Sequence, residues 1–161
     1  MDTDFSLSFT PWTCWHQRRS LRLERSRGGV YMLARFPSRP EQPPEPDPPP
    51  FEVIYIGDAK DLNTRPIAGH NRVERYVELF EDSALEQLYV TLSELYDTDC
   101  DDYAVQRMLS FHVEAMLVWR YARAHDHPPV LHYKDTPKAR DWVDRVVAKH
   151  KARAARLASH D

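Results

Sequence analysis

The sequence predicts an α+β fold in which a small, three-stranded, mainly antiparallel sheet is flanked by helices. Two β-rich segments, GGVYMLARF (28–36) and FEVIYIG (51–57), stand on either side of a proline-rich stretch and predict a hairpin. LEQLYVTL (85–92) predicts the third strand, and apolar residues at helical spacing in 101–125 predict the main helix. The 161 residues suit one domain with one core.

Charge is unevenly distributed along the chain, although the net charge is only −3. The segment 16–27 holds five arginines and one glutamate, and 138–161 holds seven basic residues and three aspartates. Between Arg75 and Arg107 there are nine acidic residues and no basic one. Two interpretations stay open: the basic ends bind a polyanion such as DNA, or they are solvated helix surfaces.

The first element is a basic N-terminal arm, residues 1–27, with a short helix and with Trp12 and Trp15 against the body. The chain starts with acidic rather than basic residues, so we expect no export signal. No apolar run approaches the roughly 20 residues that span a bilayer, so no membrane contact is expected. Cys14 and Cys100 match no zinc spacing. They favour reduced thiols in a cytoplasmic protein, with a disulfide as the alternative.

The proline-rich segment 37–50, PSRPEQPPEPDPPP, is predicted to interrupt the hairpin. Proline lacks a donor N–H and fixes φ, so this stretch suits neither a helix nor a paired strand. We expect a semi-rigid or disordered excursion at the hairpin tip. It is either a binding site for a protein partner of the SH3 or WW type or a tolerated surface insertion.

Helices are predicted after the second strand. The first opens at 58–65 with Asp58 as its cap, another covers 71–80, and a C-terminal basic helix occupies 134–161. In this last helix the basic residues are expected outward and four apolar residues inward: Trp142, Val143, Val146 and Val147. The long helix 101–125 has two stripes: Val105, Met108, Leu109, His112, Met116 and Trp119 line a face expected to meet the core, and Phe111, Glu114, Val118 and Tyr121 line the second. A carboxylate in such apolar company needs a cation or hydrogen-bond partner.

Three motifs occur in a characteristic order. GVY (29–31) and YIG (55–57) lie on the two hairpin strands, Arg65 follows Tyr55 by ten residues, and Glu114 comes later on a helix. The set resembles the GIY-YIG endonuclease family, which is named for two tyrosine motifs on adjacent strands. The resemblance covers residues 28–133, the expected catalytic domain, and implies hydrolysis of DNA with Mg²⁺ or Mn²⁺ as cofactor.

The resemblance also implies a role for each residue. Tyr31 would orient or activate the attacking water, and Tyr55 and Arg65 would bind the scissile phosphate. Glu114 would be the protein ligand of the metal, with water and phosphate in the other positions. Gly57 would let the backbone approach the substrate closely.

Four positions depart from the family pattern. The tyrosines are 24 positions apart, an excess that the proline-rich segment explains if it bulges outward. Asp58 stands where some members have lysine, which leaves Lys60 as a candidate for substrate binding. His70 is a candidate proton shuttle one position late. His132 stands where the family commonly has asparagine.

Each candidate residue also has a structural interpretation. Tyr31 and Tyr55 are compatible with cross-strand aromatic packing, Arg65 with a helix-end charge and Glu114 with a paired carboxylate. The acidic middle of the chain and the net negative charge favour the alternative function, a catalytically inactive interaction or scaffold protein with the GIY-YIG fold.

Overall fold

The computed structural model describes residues 7–25, 27–81, 84–95 and 102–160. Within these ranges the chain has an α+β fold built on an antiparallel sheet with the strand order β1-β4-β2-β3. The strands are β1 (Thr13–Cys14), β2 (Gly29–Arg35), β3 (Val53–Ala59) and β4 (Leu88–Glu94). The predicted three-stranded sheet therefore has a fourth strand, because the N-terminal arm pairs Thr13 with Val90 at the sheet edge.

Helices cover both faces of the sheet. They are the 3₁₀ helices Trp15–Leu21, Ala84–Gln87 and Val130–His132, an irregular helical segment at Asn63–Ala68, and the α-helices α1 (Arg72–Phe80), α2 (Tyr103–His125) and α3 (Pro137–Ala158). The Asp102 side chain caps α2, and Thr136 caps α3 with Pro137 in its first turn. None of the helices in the described residues is both long and apolar enough to span a membrane.

The pairing of β2 with β3 divides the side chains between two cores. Tyr31 lies opposite Gly57 and Leu33 lies opposite Tyr55 in this register. Since side chains alternate along a strand, Tyr31 and Leu33 share one face and pack in the core that includes Phe80 of α1. The alternate residues of β2 pack on the other face against α2.

Helix α2 turns a different face to the sheet from the one the sequence predicted. Its buried residues are Ser110, Val113, Leu117 and Tyr121. In the stripe that was expected inward, Met108 is 70% exposed and Trp119 is 58% exposed. The helix is apolar on nearly all sides, so periodicity alone does not select the inward face. A tertiary contact does: the Tyr121 hydroxyl donates to the Phe51 carbonyl at 2.9 Å.

The C-terminal helix packs on the body largely as predicted. Val143, Val146 and Val147 are buried in the same core as Tyr31, which confirms their inward direction. Trp142, which was also expected inward, is exposed.

The proline-rich segment 37–50 lies against the body of the protein. The Trp12 indole N–H donates to the Pro44 carbonyl at 2.9 Å, and Arg120 of α2 forms an ion pair with Asp47 at 2.9 Å. The prediction of a loop that bulges outward is therefore wrong. The excess length between the two tyrosines folds back over the C-terminal half of α2 instead.

The orientation of α2 can be tested by a matched pair of truncations. Leu117→Ala should lower the free energy of unfolding by about 2–5 kcal/mol, because it leaves a cavity under a fully buried side chain. Met108→Ala is the matched control, because methionine and leucine have similar helix propensities. It should change the free energy of unfolding by less than about 0.5 kcal/mol. Urea denaturation measures both, and the reverse order would show that the predicted stripe faces the core after all.

Candidate functional site

Strands β2 and β3 bring two phenols together over a glycine. Tyr31 is fully buried, Tyr55 is half-buried, and their ring centroids lie 6.0 Å apart. A Cβ atom at Gly57 would stand 2.7 Å from the Tyr31 hydroxyl oxygen and 2.7 Å from a Tyr55 ring carbon. Such contacts are far inside van der Waals distance, so the phenols can hold this arrangement only with glycine at this position.

His70 joins the two phenols from the loop before α1. Its ring centroid lies 5.3 Å from that of Tyr31 and 5.1 Å from that of Tyr55. Nδ1 accepts the backbone N–H of Arg72 at 3.0 Å, so the neutral ring carries its proton on Nε2, which hydrogen-bonds the Tyr31 hydroxyl. Burial, then the charges of Arg65 and Arg72, lower the pKa of His70 to about 3. His70 is therefore neutral at physiological pH and positions Tyr31.

Arg65 reaches the same cluster from the irregular helical segment. Its backbone is extended (φ −144°, ψ 117°), as expected for a residue that precedes a proline. The guanidinium donates to the Asn71 side chain at 3.2 Å. It also acts on Tyr31, since its charge and hydrogen bonding oppose the rise of the phenol's pKa.

The protonation state of Tyr31 follows from its burial. Burial first, and then Tyr55, raise the pKa of Tyr31 above its ordinary value despite the Arg65 charge. The phenol keeps its proton and acts as a hydrogen-bond donor. Of the two roles predicted for Tyr31, this environment favours orienting the attacking water over activating it as a base.

Two further residues enter the site. The Arg72 guanidinium lies 5.7 Å from the Tyr55 ring centroid, and its buried Nε has no hydrogen-bond partner in the part of the chain that the structure describes. His132 stacks on Tyr55 with centroids 4.8 Å apart, and its Nε2 accepts the Ile56 backbone N–H at 3.1 Å. The sequence had marked His132 by its place after two prolines. Nothing in the sequence distinguished Arg72 from other helix-start arginines.

The basic 3₁₀ helix of the arm lies beside the segment that carries Arg65. Arg18 donates through Nε to the Ile67 carbonyl at 2.9 Å. Asn63 accepts the Leu23 backbone N–H at 2.7 Å and donates to the Leu23 carbonyl at 2.8 Å. These contacts fix the arm, with Arg18, beside the segment that carries Arg65.

The structure does not bring Glu114 or Lys60 to the phenols. Asp58 follows Gly57 on β3, so its side chain lies on the opposite face of the sheet, the face that packs against α2. There it forms an ion pair with Arg107 at 2.8 Å and a hydrogen bond with Glu114. The Lys60 ammonium lies 5.9 Å from the Tyr103 ring centroid of α2. Asp58 is thus a strand residue and not the predicted helix cap.

The predicted metal site does not fit this arrangement. An ion held by Glu114 would lie across the sheet from the phosphate that Tyr31 and Arg65 are placed to bind. Burial, and then Asp58, raise the pKa of Glu114 to about 8, which favours the protonated carboxyl over a metal ligand. Within the described ranges, no group of three histidine, cysteine or acidic side chains is arranged to hold a metal ion.

The cluster is therefore suited to bind an anion. It combines two guanidinium groups, two phenols and two neutral imidazoles, contributed by Arg65, Arg72, Tyr31, Tyr55, His70 and His132. Arginine forks match the oxygens of a phosphate, and phenol donors aimed at the same group add to its stabilisation. Comparison of the chain with known protein families, with curated proteins and with solved structures finds no match. The GIY-YIG resemblance stays a prediction that rests on these residues.

Gly57→Ala tests the close approach of the phenols. The new methyl group would overlap Tyr31 and Tyr55, so the free energy of unfolding should fall by about 1–3 kcal/mol. Gly69→Ala is the matched control, because a Cβ there has no neighbour within 4 Å. Urea denaturation followed by tyrosine fluorescence measures both variants. Equal stability of the two would show that the phenols are not packed on Gly57.

The variant Glu114→Gln tests whether the Glu114 carboxyl is protonated in the folded protein. The pKa of Glu114 rises from 4.5 to about 8 on folding, so its stabilising contribution is complete below about pH 4.5 and is lost as the pH rises through about 8. Glutamine keeps a hydrogen-bond donor for Asp58 and does not titrate. The variant should match the wild type near pH 5 and have the higher unfolding midpoint at pH 8. A variant that is less stable at both pH values would show that the fold requires the carboxylate.

Proposed function

We propose that this protein is a DNA endonuclease of the GIY-YIG type, which binds a backbone phosphate at the phenol cluster and hydrolyses the phosphodiester bond. The observation that supports this proposal is the convergence of Tyr31, Tyr55, Arg65 and His70 around Gly57. These residues come from two strands, the irregular helical segment and the loop before α1, and they carry donors and positive charge toward one point.

Phosphate binding follows from the charges of the site. Arg65 is exposed, and its hydrogen-bond partners Asn71 and Tyr31 are both uncharged, so its charge is available to a substrate phosphate. Arg72 offers a buried N–H without an acceptor among the described residues. The neighbouring arginines of the arm extend the basic surface beyond one phosphate. Affinity for DNA should therefore fall steeply with salt.

In the hydrolytic step the chain's own residues position groups and stabilise charge. The Tyr31 phenol, held by His70, donates to a water or to a phosphate oxygen. The Arg65 guanidinium neutralises the charge that develops on the phosphate in the transition state. Mg²⁺ or Mn²⁺ remains the cofactor that the resemblance implies, but Glu114, across the sheet, contributes no ligand to this step.

The second candidate is a protein that binds DNA or another partner through this fold without cleaving it. The position of Glu114 favours it, because the family's metal ligand has no counterpart beside the phenols among the described residues. The protonated Tyr31 and the neutral His70, both of whose nitrogens are engaged, also leave no evident general base. A partner for the proline-rich segment belongs to this candidate.

Cleavage and binding should be measured on the same preparations. With Mg²⁺ or Mn²⁺, the wild type should nick supercoiled plasmid, and EDTA should abolish the reaction. Arg65→Ala and Tyr31→Phe should each lower the cleavage rate by about a hundredfold or more. Glu114→Gln should retain cleavage, because its side chain lies on the far face of the sheet. Loss of cleavage in Glu114→Gln would contradict this placement and restore the family's metal ligand.

Fluorescence anisotropy with a labelled duplex distinguishes the two candidates. Arg65→Ala should reduce the slope of log affinity against log salt by about one. Arg123→Ala, which removes an exposed arginine from α2, is the control and should bind as the wild type does. Binding without cleavage of plasmid, branched DNA or RNA would favour the second candidate. Absence of both would contradict the proposal that the cluster binds a nucleic-acid phosphate.

A further inference from the structure

A cavity lies at the end of the β2–β3 hairpin that is away from the phenol cluster. It has a volume of about 470 Å³ and is bounded by the end of β2, the proline-rich segment and the C-terminal ends of α2 and α3. Arg35, four residues beyond Tyr31 on the same face of β2, lines it. Four residues of a strand span about 13 Å, so this cavity is separate from the phenol cluster.

The walls of the cavity are largely apolar. They include Phe36, Phe51 and Leu157, together with prolines of the segment 37–50. The contacts of Trp12 with Pro44 and of Arg120 with Asp47 hold this segment over the cavity. Cavities of this size with apolar walls and a few polar groups are typical of binding sites for small molecules.

Two polar groups of the cavity lack partners. His150 is 4% exposed, and its Nε2 has no hydrogen-bond partner within the described ranges. Arg35 has a buried Nε that also lacks a partner there, and no described carboxylate lies within ion-pair distance of its guanidinium. Leaving such groups buried and unpartnered costs free energy, so they are expected to meet a complementary group.

The charge of these groups indicates what that complementary group is. The guanidinium of Arg35 packs on the Phe80 ring at 4.9 Å and hydrogen-bonds the Tyr76 hydroxyl, so these two neighbours are aromatic side chains and not a carboxylate. Arg153, the other arginine that lines the cavity, forms an ion pair with Glu52 at 3.0 Å. Burial, and then the positive groups around it, lower the pKa of His150 to about 3. His150 is therefore neutral, and an imidazole N–H can donate to an anion that Arg35 holds.

The geometry points to a binding site for a small amphipathic anion, with its carboxylate or phosphate group on Arg35 and His150 and its apolar body between Phe36, Phe51 and the proline-rich segment. This function is independent of the phenol cluster. It also gives the proline-rich segment a role as the wall of a binding site. A carboxylate and a phosphate share this chemistry, and the two are separated by the choice of probe.

The test uses three naphthalene probes on the full chain. Naphthoate and naphthyl phosphate carry the anion, and naphthalenemethanol is the neutral control. By isothermal titration calorimetry, at least one anion should bind about tenfold or more tightly than the alcohol. The tighter of the two anions identifies the preferred group. Equal affinity of anions and alcohol would show an apolar cleft only, and no binding at millimolar concentration would overturn the proposal.

The variant Arg35→Gln tests whether Arg35 binds the anionic group of the probe. Arg75→Gln on the surface of α1 is the matched control. Arg35→Gln should weaken anion binding by about tenfold and leave binding of the alcohol unchanged, while Arg75→Gln should change neither. The second readout needs no variant: naphthoate should shift the ¹⁵N resonance of His150 Nε2 in the wild type. Unchanged anion affinity in a folded Arg35→Gln variant, or no shift at His150, would contradict the proposed site.

Discussion

The candidate site depends on the contact of two phenol rings over one glycine. The antiparallel register sets Tyr31 opposite Gly57. Because Gly57 has no side chain, the ring centroids of Tyr31 and Tyr55 can lie 6.0 Å apart. His70 completes the arrangement by its hydrogen bond to the Tyr31 hydroxyl. Because the phenol is fully buried, its orientation is determined by packing. Arg65 and Arg72 then add charge around a rigid centre.

The sheet separates two kinds of electrostatic environment. On the face of the phenols, guanidinium groups gather with neutral imidazoles, which suits a bound anion. On the face of α2, Asp58 and Glu114 share a hydrogen bond beside Arg107. Gly57 and Asp58 are adjacent in sequence but belong to opposite faces, as strand alternation requires. The acidic pair therefore belongs to the contact between the sheet and α2 and lies apart from the phosphate site.

The proline-rich segment packs on the body of the protein and lines the cavity beside Arg35. Proline cannot donate to a strand ladder, so the segment is held by side chains of the body, with the Trp12 indole on Pro44 and Arg120 on Asp47. It lengthens the connection between the two tyrosine strands, whose register shifts between Leu33 and Ala34 near this segment and is regular from Gly29 to Leu33. The same contacts make it a wall of the cavity that contains Arg35 and His150.

Local patterns in the sequence determined the elements of the hairpin and the groups that gather on one face of it. Runs of β-forming residues specified β2 and β3. The lack of a side chain at Gly57 permits the close contact that Tyr31 and Tyr55 make. The caps at Asp102 and Thr136 are also local contacts, since a side chain there accepts N–H groups two or three residues later. They were not predicted from the sequence, and the cap that was predicted, Asp58, is a strand residue. These features depend on short-range sterics and hydrogen bonding, which a sequence shows directly.

Only the tertiary structure decided which face of α2 is buried and hence where Glu114 lies. A helix with apolar side chains on several sides has no single preferred side of its own, so the Tyr121 contact with Phe51 and the pairing of Glu114 with Asp58 settle its rotation. The inclusion of Arg72 and His132, the fourth strand and the folded-back proline-rich segment are also contacts between distant parts of the chain. Such contacts depend on the relative positions of packed elements, which no local pattern encodes.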